Sequence, residues 1–147
     1  DFLTVGGMGH ANQIALGIAI QKPNRRVFCF DGDGATLMHM GSLAINGSIK
    51  CKNLKHIVFN NGAHDSVGGQ PTVGFNVDLQ SIAKACGYNL VMEAKTNVEI
   101  KKCLDNLKKF DDKVFLEIKV KKGFRCDLSR PTTSPKKNKQ FLMKFVK

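Results

Sequence analysis

Aromatic side chains make up only 7% of the 147 residues, and no strand-like run is rich enough in them to offer a base-stacking platform for nucleic acid. Apolar runs are short. None reaches the length of a membrane-spanning helix, and the first residues show neither a basic-then-apolar signal pattern nor an Arg-rich presequence, so a cytoplasmic protein is expected. The chain enters "FLTVGGMGH" directly from Asp1, from which we expect further polypeptide upstream. Five cysteines lie 22, 35, 17 and 23 positions apart, which fits no zinc or redox spacing and leaves one over in any disulfide scheme. They are expected to be reduced residues of the core or of helix faces. A Gly-x-x-x-x-Gly-Lys phosphate loop is missing, and so are the third acidic position and closing Glu of an EF-hand.

What is present suffices for one core, since 42% of the residues are apolar. The net charge of +11 would suggest nucleic acid, but its placement argues otherwise: residues 1–100 carry 8 basic against 7 acidic groups, and residues 101–147 carry 15 against 5. Lysines interleaved with Phe and Leu in "KKCLDNLKKF" and "QFLMKFVK" fit the solvated faces of amphipathic helices.

Helical and strand-like patterns take turns along the chain. Helical spacing over "GHANQIALGIAIQ" stops before Pro23, and residues 27–30 read as a short buried strand. A helix is expected over 35–46 with Leu37, Met40, Leu43 and Ala44 on one side, then a strand over 56–59 and a Gly-rich loop over 60–76. Asp78 is placed to cap a helix ending near Cys86, a third strand follows at "NLVM", and Thr96 with Glu99 forms a capping box for a helix to about Lys109. "KVFLEIKV" is the fourth strand. This alternation predicts an α/β domain over 1–130, a parallel sheet covered by helices on both faces, with a linker and a last helix over 131–147 packing on the same domain.

Two strand ends are unusual: Asp31-Gly32-Asp33-Gly34 after "VFCF", and Asn60-Asn61-Gly62 after "HIVF". The 25 residues between Gly34 and Asn60 suffice for one crossover helix and a return strand, which sets both ends at the same sheet edge, where ligands of such sheets bind. An Asp and an Asn are hard oxygen donors suited to Mg²⁺ shared with phosphate oxygens and water. Gly32 and Gly34 allow close backbone approach to an anion, and the amides of Gly34 and Ala35 open the next helix. Gly-Asp-Gly alone is also a common turn. Gly7-Met8-Gly9 before a helix has the look of a dinucleotide fingerprint, but it lacks a convincing preceding strand, and Asn12 stands where the third Gly belongs.

"GDG", 25 residues and then "NN" resembles the cofactor motif of thiamine diphosphate-dependent enzymes. The resemblance implies a thiamine diphosphate-binding fold in which Asp33, Asn61 and the carbonyl of Ala63 hold Mg²⁺. It also implies that "GGMG" lies under the cofactor, with the Gly6 carbonyl accepting from its 4′-amino group, Met8 propping it into a bent shape, and Gly9 alongside. "GDGATLMHMGSLA" with "NNGAHDSVGGQPT" is most similar to the members of this family that decarboxylate phosphonopyruvate and, slightly less, sulfopyruvate. By that resemblance the reaction is 3-phosphonopyruvate to phosphonoacetaldehyde and CO₂, a carbon–carbon lyase reaction in which the cofactor is the electron sink.

The family's activating Glu belongs to a pyrimidine-binding domain, and Glu93, Glu99 and Glu117 fall in a strand end, a helix cap and a strand. The resemblance therefore implies the diphosphate-binding half of a site completed at an interface, in a homo-oligomer or a hetero-oligomer. Pyruvate-type relatives carry a catalytic Glu in the loop after the motif; residues 61–77 offer His64, Asp65, Ser66 and Gln70 instead. His64 is the candidate for substrate-anion contact or proton transfer, with backbone capping as the equal alternative. Ser66 is a candidate hydroxyl toward the cofactor. His10 either faces the diphosphate or is structural, and His39 is expected to pack or lie at the surface. A non-catalytic or basic interaction module of the same fold is the alternative from another class.

Overall fold

The computed structural model describes residues 1–147. Its elements run α1 (Ala11–Gln21), β1 (Val27–Gly32), α2 (Asp33–Met38), α3 (Gly41–Ser48), β2 (Leu54–Asn60), the short strands β3 (Ala63–His64) and β4 (Gln70–Pro71), α4 (Leu79–Ala85), β5 (Leu90–Ala94), α5 (Asn97–Lys109), β6 (Val114–Lys119) and α6 (Pro135–Val146). Four strands form one parallel sheet in the order β1-β2-β6-β5, while β3 and β4 make a separate antiparallel ribbon. The α/β parallel-sheet class read from the alternation is the fold observed.

Strand composition follows position in the sheet. β2 and β6 are central and almost continuously buried, as their apolar runs require, whereas edge strand β1 alternates, with Cys29 and Asp31 inward and Phe28 and Phe30 outward. The β1→β2 and β5→β6 connections move in opposite directions across the sheet, so right-handed crossovers put their helices on opposite faces. One face is covered by α1, through Ala15, Leu16 and Ala19, and by α3 and α4, through Leu43, Leu79 and Ala83 against Val58 and Phe115. On the other, α5 packs Cys103 and Leu107 onto Ile57, Val114, Leu116 and Ile118. Full burial of a side chain such as Leu116 contributes about 1.5–3 kcal/mol. Helical cover on this second face is confined to the β5–β6 side: Phe28, Phe30 and Phe59 stay exposed.

Local signals set most boundaries. Asp78 Oδ1 accepts from the Ser81 amide, and the Thr96–Glu99 capping box forms in both directions. The helix expected over 35–46 is instead two helices, broken at His39 and Met40. His39 (φ −131°, ψ 49°) leaves the helical region where its side chain packs against Gly9, and the rings of His10 and His39 lie tilted at 56° with centroids 4.3 Å apart. A tertiary contact thus overrides helical periodicity, and Ala44, expected on the buried side with Leu43, turns outward. The last helix begins at Pro135, where Ser134 caps it and Pro is favourable in the first turn. Cys126 is exposed, against the expectation of a core or helix-face residue, because it follows the last strand in a segment of turns; all five cysteines are free.

Candidate functional site

Parallel pairing of β1 and β2 sets Gly32 beside Phe59, so Asp33 and the Asn60–Asn61 pair leave the sheet at one edge. Asp33, 1% exposed, is the first residue of α2 and accepts a hydrogen bond from the Thr72 hydroxyl. Gly32 precedes it in extended conformation (φ −100°, ψ 160°) with no side-chain cap, leaving the first N–H groups of α2, those of Gly34 and Ala35 among them, without a side-chain acceptor.

The second strand end is a pair of Asx turns. Asn60 Oδ1 accepts from the Gly62 amide at 3.1 Å and Asn61 Oδ1 from the Ala63 amide at 3.0 Å. Asn61 Nδ2 donates to Asp65 Oδ2 at 2.7 Å, and the same oxygen accepts from the Gly123 amide at 2.7 Å. An amide oxygen has two lone pairs, so Asn61 Oδ1 retains one beyond the turn. Asp33, Asn61 and the carbonyl of Ala63 therefore offer carboxylate, amide and carbonyl oxygen, a set that fits Mg²⁺ and excludes soft metals. Ala63 is buried and pairs with Pro71 in the β3–β4 ribbon.

Loop 72–76 covers this edge. A Cβ built on Gly74 would lie 2.5 Å from Asp33 Oδ2 and 2.7 Å from Asn60 Oδ1, so only glycine fits between them. Asn60, fully buried, donates to the Gly74 carbonyl at 2.7 Å and to Glu117 Oε1 at 2.6 Å. Glu117, also fully buried, accepts in addition from Lys119 Nζ at 2.5 Å and from Gln80. Sequence marks Asn60 only as the start of the second strand end and sets Glu117 aside as a strand residue, so neither is assigned a role in the site and their pairing is not foreseen. The only available signal was an acidic residue inside the apolar strand "VFLEIK".

His64 lies across Gly34: a Cβ there would come within 2.4 Å of its Nδ1, a buried nitrogen with no hydrogen-bond partner. Ser66 sits exposed in a single helical turn after β3, its carbonyl bonded to Arg130. Gly9 is buried against Ala35 and His39, which brings the "GGMG" segment to α2; Gly6 and Gly9 both have positive φ, 81° and 84°. Met8 is half-buried, while His10 is exposed, its Nδ1 3.2 Å from the Met8 carbonyl. The structure thus gathers Gly9, Gly34, Ala35 and His64 around α2, with Asp33, Asn60 and Gly74 in contact beside them, and leaves Gly6, His10 and Ser66 exposed.

Residues 2–118 match the family model described as thiamine pyrophosphate enzyme, C-terminal TPP binding domain. The chain belongs to this family. Phosphonopyruvate decarboxylase of Streptomyces viridochromogenes is 39% identical to this thiamine pyrophosphate-binding domain over 91% of the chain and 34% of the relative. Sulfopyruvate decarboxylase subunit beta of Methanocaldococcus jannaschii is 39% identical over 62% of the chain and 48% of that subunit. The domain thus spans about a third to half the length of these curated relatives. A transketolase from Campylobacter jejuni shares the fold, with a TM-score of 0.59 and 22% identity over 77% of the chain and 20% of the transketolase. No helix is long and apolar enough to cross a membrane.

Proposed function

We propose that this domain is the diphosphate-binding half of a thiamine diphosphate- and Mg²⁺-dependent decarboxylase that converts 3-phosphonopyruvate to phosphonoacetaldehyde and CO₂. The observation that carries the reading is the joint exit of Asp33 and Asn61 from adjacent parallel strands, two hard oxygen donors beside the first amides of α2. Asp33, Asn61 Oδ1 and the Ala63 carbonyl hold Mg²⁺, and Gly32, Gly34 and Ala35 lie along the diphosphate. When bound, thiamine diphosphate supplies the electron sink for loss of CO₂. The Gly6 carbonyl and the Met8 side chain hold the cofactor's ring system in position, with Gly9, His10 and Ser66 at the margin of the site. His64, with its free Nδ1 above Gly34, contacts the substrate anion or moves a proton at that nitrogen.

A pyrimidine-binding domain, on the same polypeptide or on a separate subunit, supplies the activating Glu. The exposed Phe28, Phe30 and Phe59 and the similarity to a beta subunit support assembly with such a partner. We place the assembly in the cytoplasm as a homo- or hetero-oligomer, with residues 131–147 as an appendage of the same domain. Sulfopyruvate is the second reading, favoured by the beta-subunit relatives; over matches that span nine-tenths or more of the chain, identity is 39% to a phosphonopyruvate decarboxylase against 29% to a sulfopyruvate decarboxylase, which ranks it second.

Calorimetric titration with thiamine diphosphate, with and without Mg²⁺, tests the cofactor, and turnover of phosphonopyruvate against sulfopyruvate by the complete enzyme tests the substrate. Absence of Mg²⁺-dependent cofactor binding by the complete enzyme overturns the whole reading. Preference for sulfopyruvate overturns only the substrate.

A further inference from the structure

One polar cluster lies outside the site. Cys29 and His56 are register partners on β1 and β2, and Asp31 is two residues further along β1, so all three side chains project from the same face of the sheet. All are buried, at 4%, 0% and 8% exposure, and one donor atom from each lies within 4.8 Å of the other two. Two of those atoms, Asp31 Oδ2 and His56 Nε2, are buried without a hydrogen-bond partner. The two face one another at 3.5 Å, within ion-pair distance but with no hydrogen bond to each other or to a third group, and leaving buried polar atoms without hydrogen bonds costs free energy.

We propose that Cys29, Asp31 and His56 form a zinc-class metal site, distinct from the Mg²⁺ site at Asp33. Thiolate, imidazole and carboxylate together are a soft-to-borderline donor set that selects Zn²⁺ over Mg²⁺. With ligand bonds of about 2.0–2.2 Å, the carboxylate oxygen and imidazole nitrogen of a tetrahedral Zn²⁺ stand roughly 3.3–3.5 Å apart, which the Asp31–His56 separation of 3.5 Å matches. His56 Nδ1 lies 3.2 Å from the Tyr88 hydroxyl, itself bonded by Asn46, so the ring is oriented with Nε2 directed at the cluster. The other carboxylate oxygen of Asp31 accepts from the Gly32 amide at 3.2 Å.

In the metal-free protein, burial and then the nearby Asp31 push the Cys29 thiol up to about 12, so sulfur stays protonated. Binding exchanges that proton for the cation: one H⁺ goes to solvent, and the two negative charges of thiolate and carboxylate neutralise the dication. The fourth coordination position belongs to water. Such an ion ties β1 to β2 directly behind the Asp31-Gly32-Asp33 turn.

The test is spectroscopic, on the intact chain washed with chelator and titrated with Co²⁺, then with Zn²⁺ in competition. One equivalent of Co²⁺ should give a thiolate charge-transfer band in the near ultraviolet and tetrahedral visible bands, both displaced by Zn²⁺ and untouched by Mg²⁺. Cys29→Ser should abolish the charge-transfer band and His56→Gln weaken binding at least tenfold, while Cys126→Ser keeps both features. Zn²⁺ should also raise the melting temperature of the wild type by about 5 °C at a hundredfold excess over Kd. No thiolate band with excess Co²⁺ and an unchanged melting temperature in Zn²⁺ overturn the proposal, reducing the cluster to a bare Asp31–His56 pair. A band that survives Cys29→Ser overturns it too. The proposal does not rest on the cofactor reading: Mg²⁺-dependent thiamine diphosphate binding is measured separately and produces no thiolate band.

Discussion

Asp65 fixes the orientation of Asn61. Its Oδ2 accepts from Asn61 Nδ2 at 2.7 Å, and because a carboxylate accepts only, the amide nitrogen must face Asp65 and the oxygen must face the other way. Asp65→Ala frees that amide to rotate and also releases the Gly123 amide. Mg²⁺-dependent affinity for thiamine diphosphate should fall about tenfold, in line with loss of an outer-shell partner. Asp65→Asn, which can still accept, should recover part of it. Calorimetry on both variants checks this, and equal affinities in wild type and Asp65→Ala would remove the orienting role.

Asp33→Ala should abolish Mg²⁺-dependent cofactor binding, whereas Asn61→Ala should weaken it less, since a neutral amide gives up less charge interaction with the ion than a carboxylate. The readout is the cofactor Kd at several Mg²⁺ concentrations. Retained affinity in Asp33→Ala would place the metal elsewhere.

Glu117→Ala strands the Asn60 amide and leaves Lys119, 2.5 Å from the carboxylate, without its closest partner. Lys119 is partly exposed and keeps Glu93 at 3.8 Å, so the cost comes chiefly from the buried donors left unsatisfied, about 1–3 kcal/mol. Urea unfolding should show a loss of that order, together with looser packing of loop 72–76, to which Asn60 is tied through the Gly74 carbonyl. A loss under about 1 kcal/mol would mean that solvent relieves the stranded groups.

Gly47→Ala should be among the most damaging single-methyl additions. A Cβ there would meet the Cys86 carbonyl oxygen at 1.6 Å, backbone against backbone, where α3 passes the end of α4. Since neither helix can yield without moving the Leu43–Leu79 core, a destabilisation of about 3 kcal/mol or more is expected, read from thermal or urea unfolding.

The Glu99 carboxyl accepts from the Lys95 and Thr96 amides, and these bonds hold it below its ordinary value of 4.5. A depressed folded-state value means that the unfolded chain binds more protons in the intervening window. The cap's contribution is therefore complete above about pH 4.5 and is lost as pH falls through the folded value. Protection of the amides at the start of α5, measured against their intrinsic exchange rates, should fall over that acid window in wild type and show no such step in Glu99→Gln.

Residues that act through their own backbone neighbourhood were legible in the sequence. Asp78, Thr96 and Glu99 cap as their spacing predicts, and the "GDG" and "NN" strand ends meet because 25 residues permit one right-handed crossover and little else. The break at His39 was not legible, because it comes from the Gly9 segment far away in sequence. Nor was the Asn60–Glu117 bond, made across 57 positions.

The sequence by itself determined the alternation of strands and helices, the helix caps and the oxygen donors at two strand ends, since periodicity and hydrogen-bonding chemistry act over a few residues. Strand order, the exposed Phe28–Phe30–Phe59 face, loop 72–76 over Asp33 and the buried meeting of Cys29, Asp31 and His56 were decided only by the tertiary structure. The register between parallel strands and the packing of distant segments set which side chains become neighbours, and no local pattern encodes that.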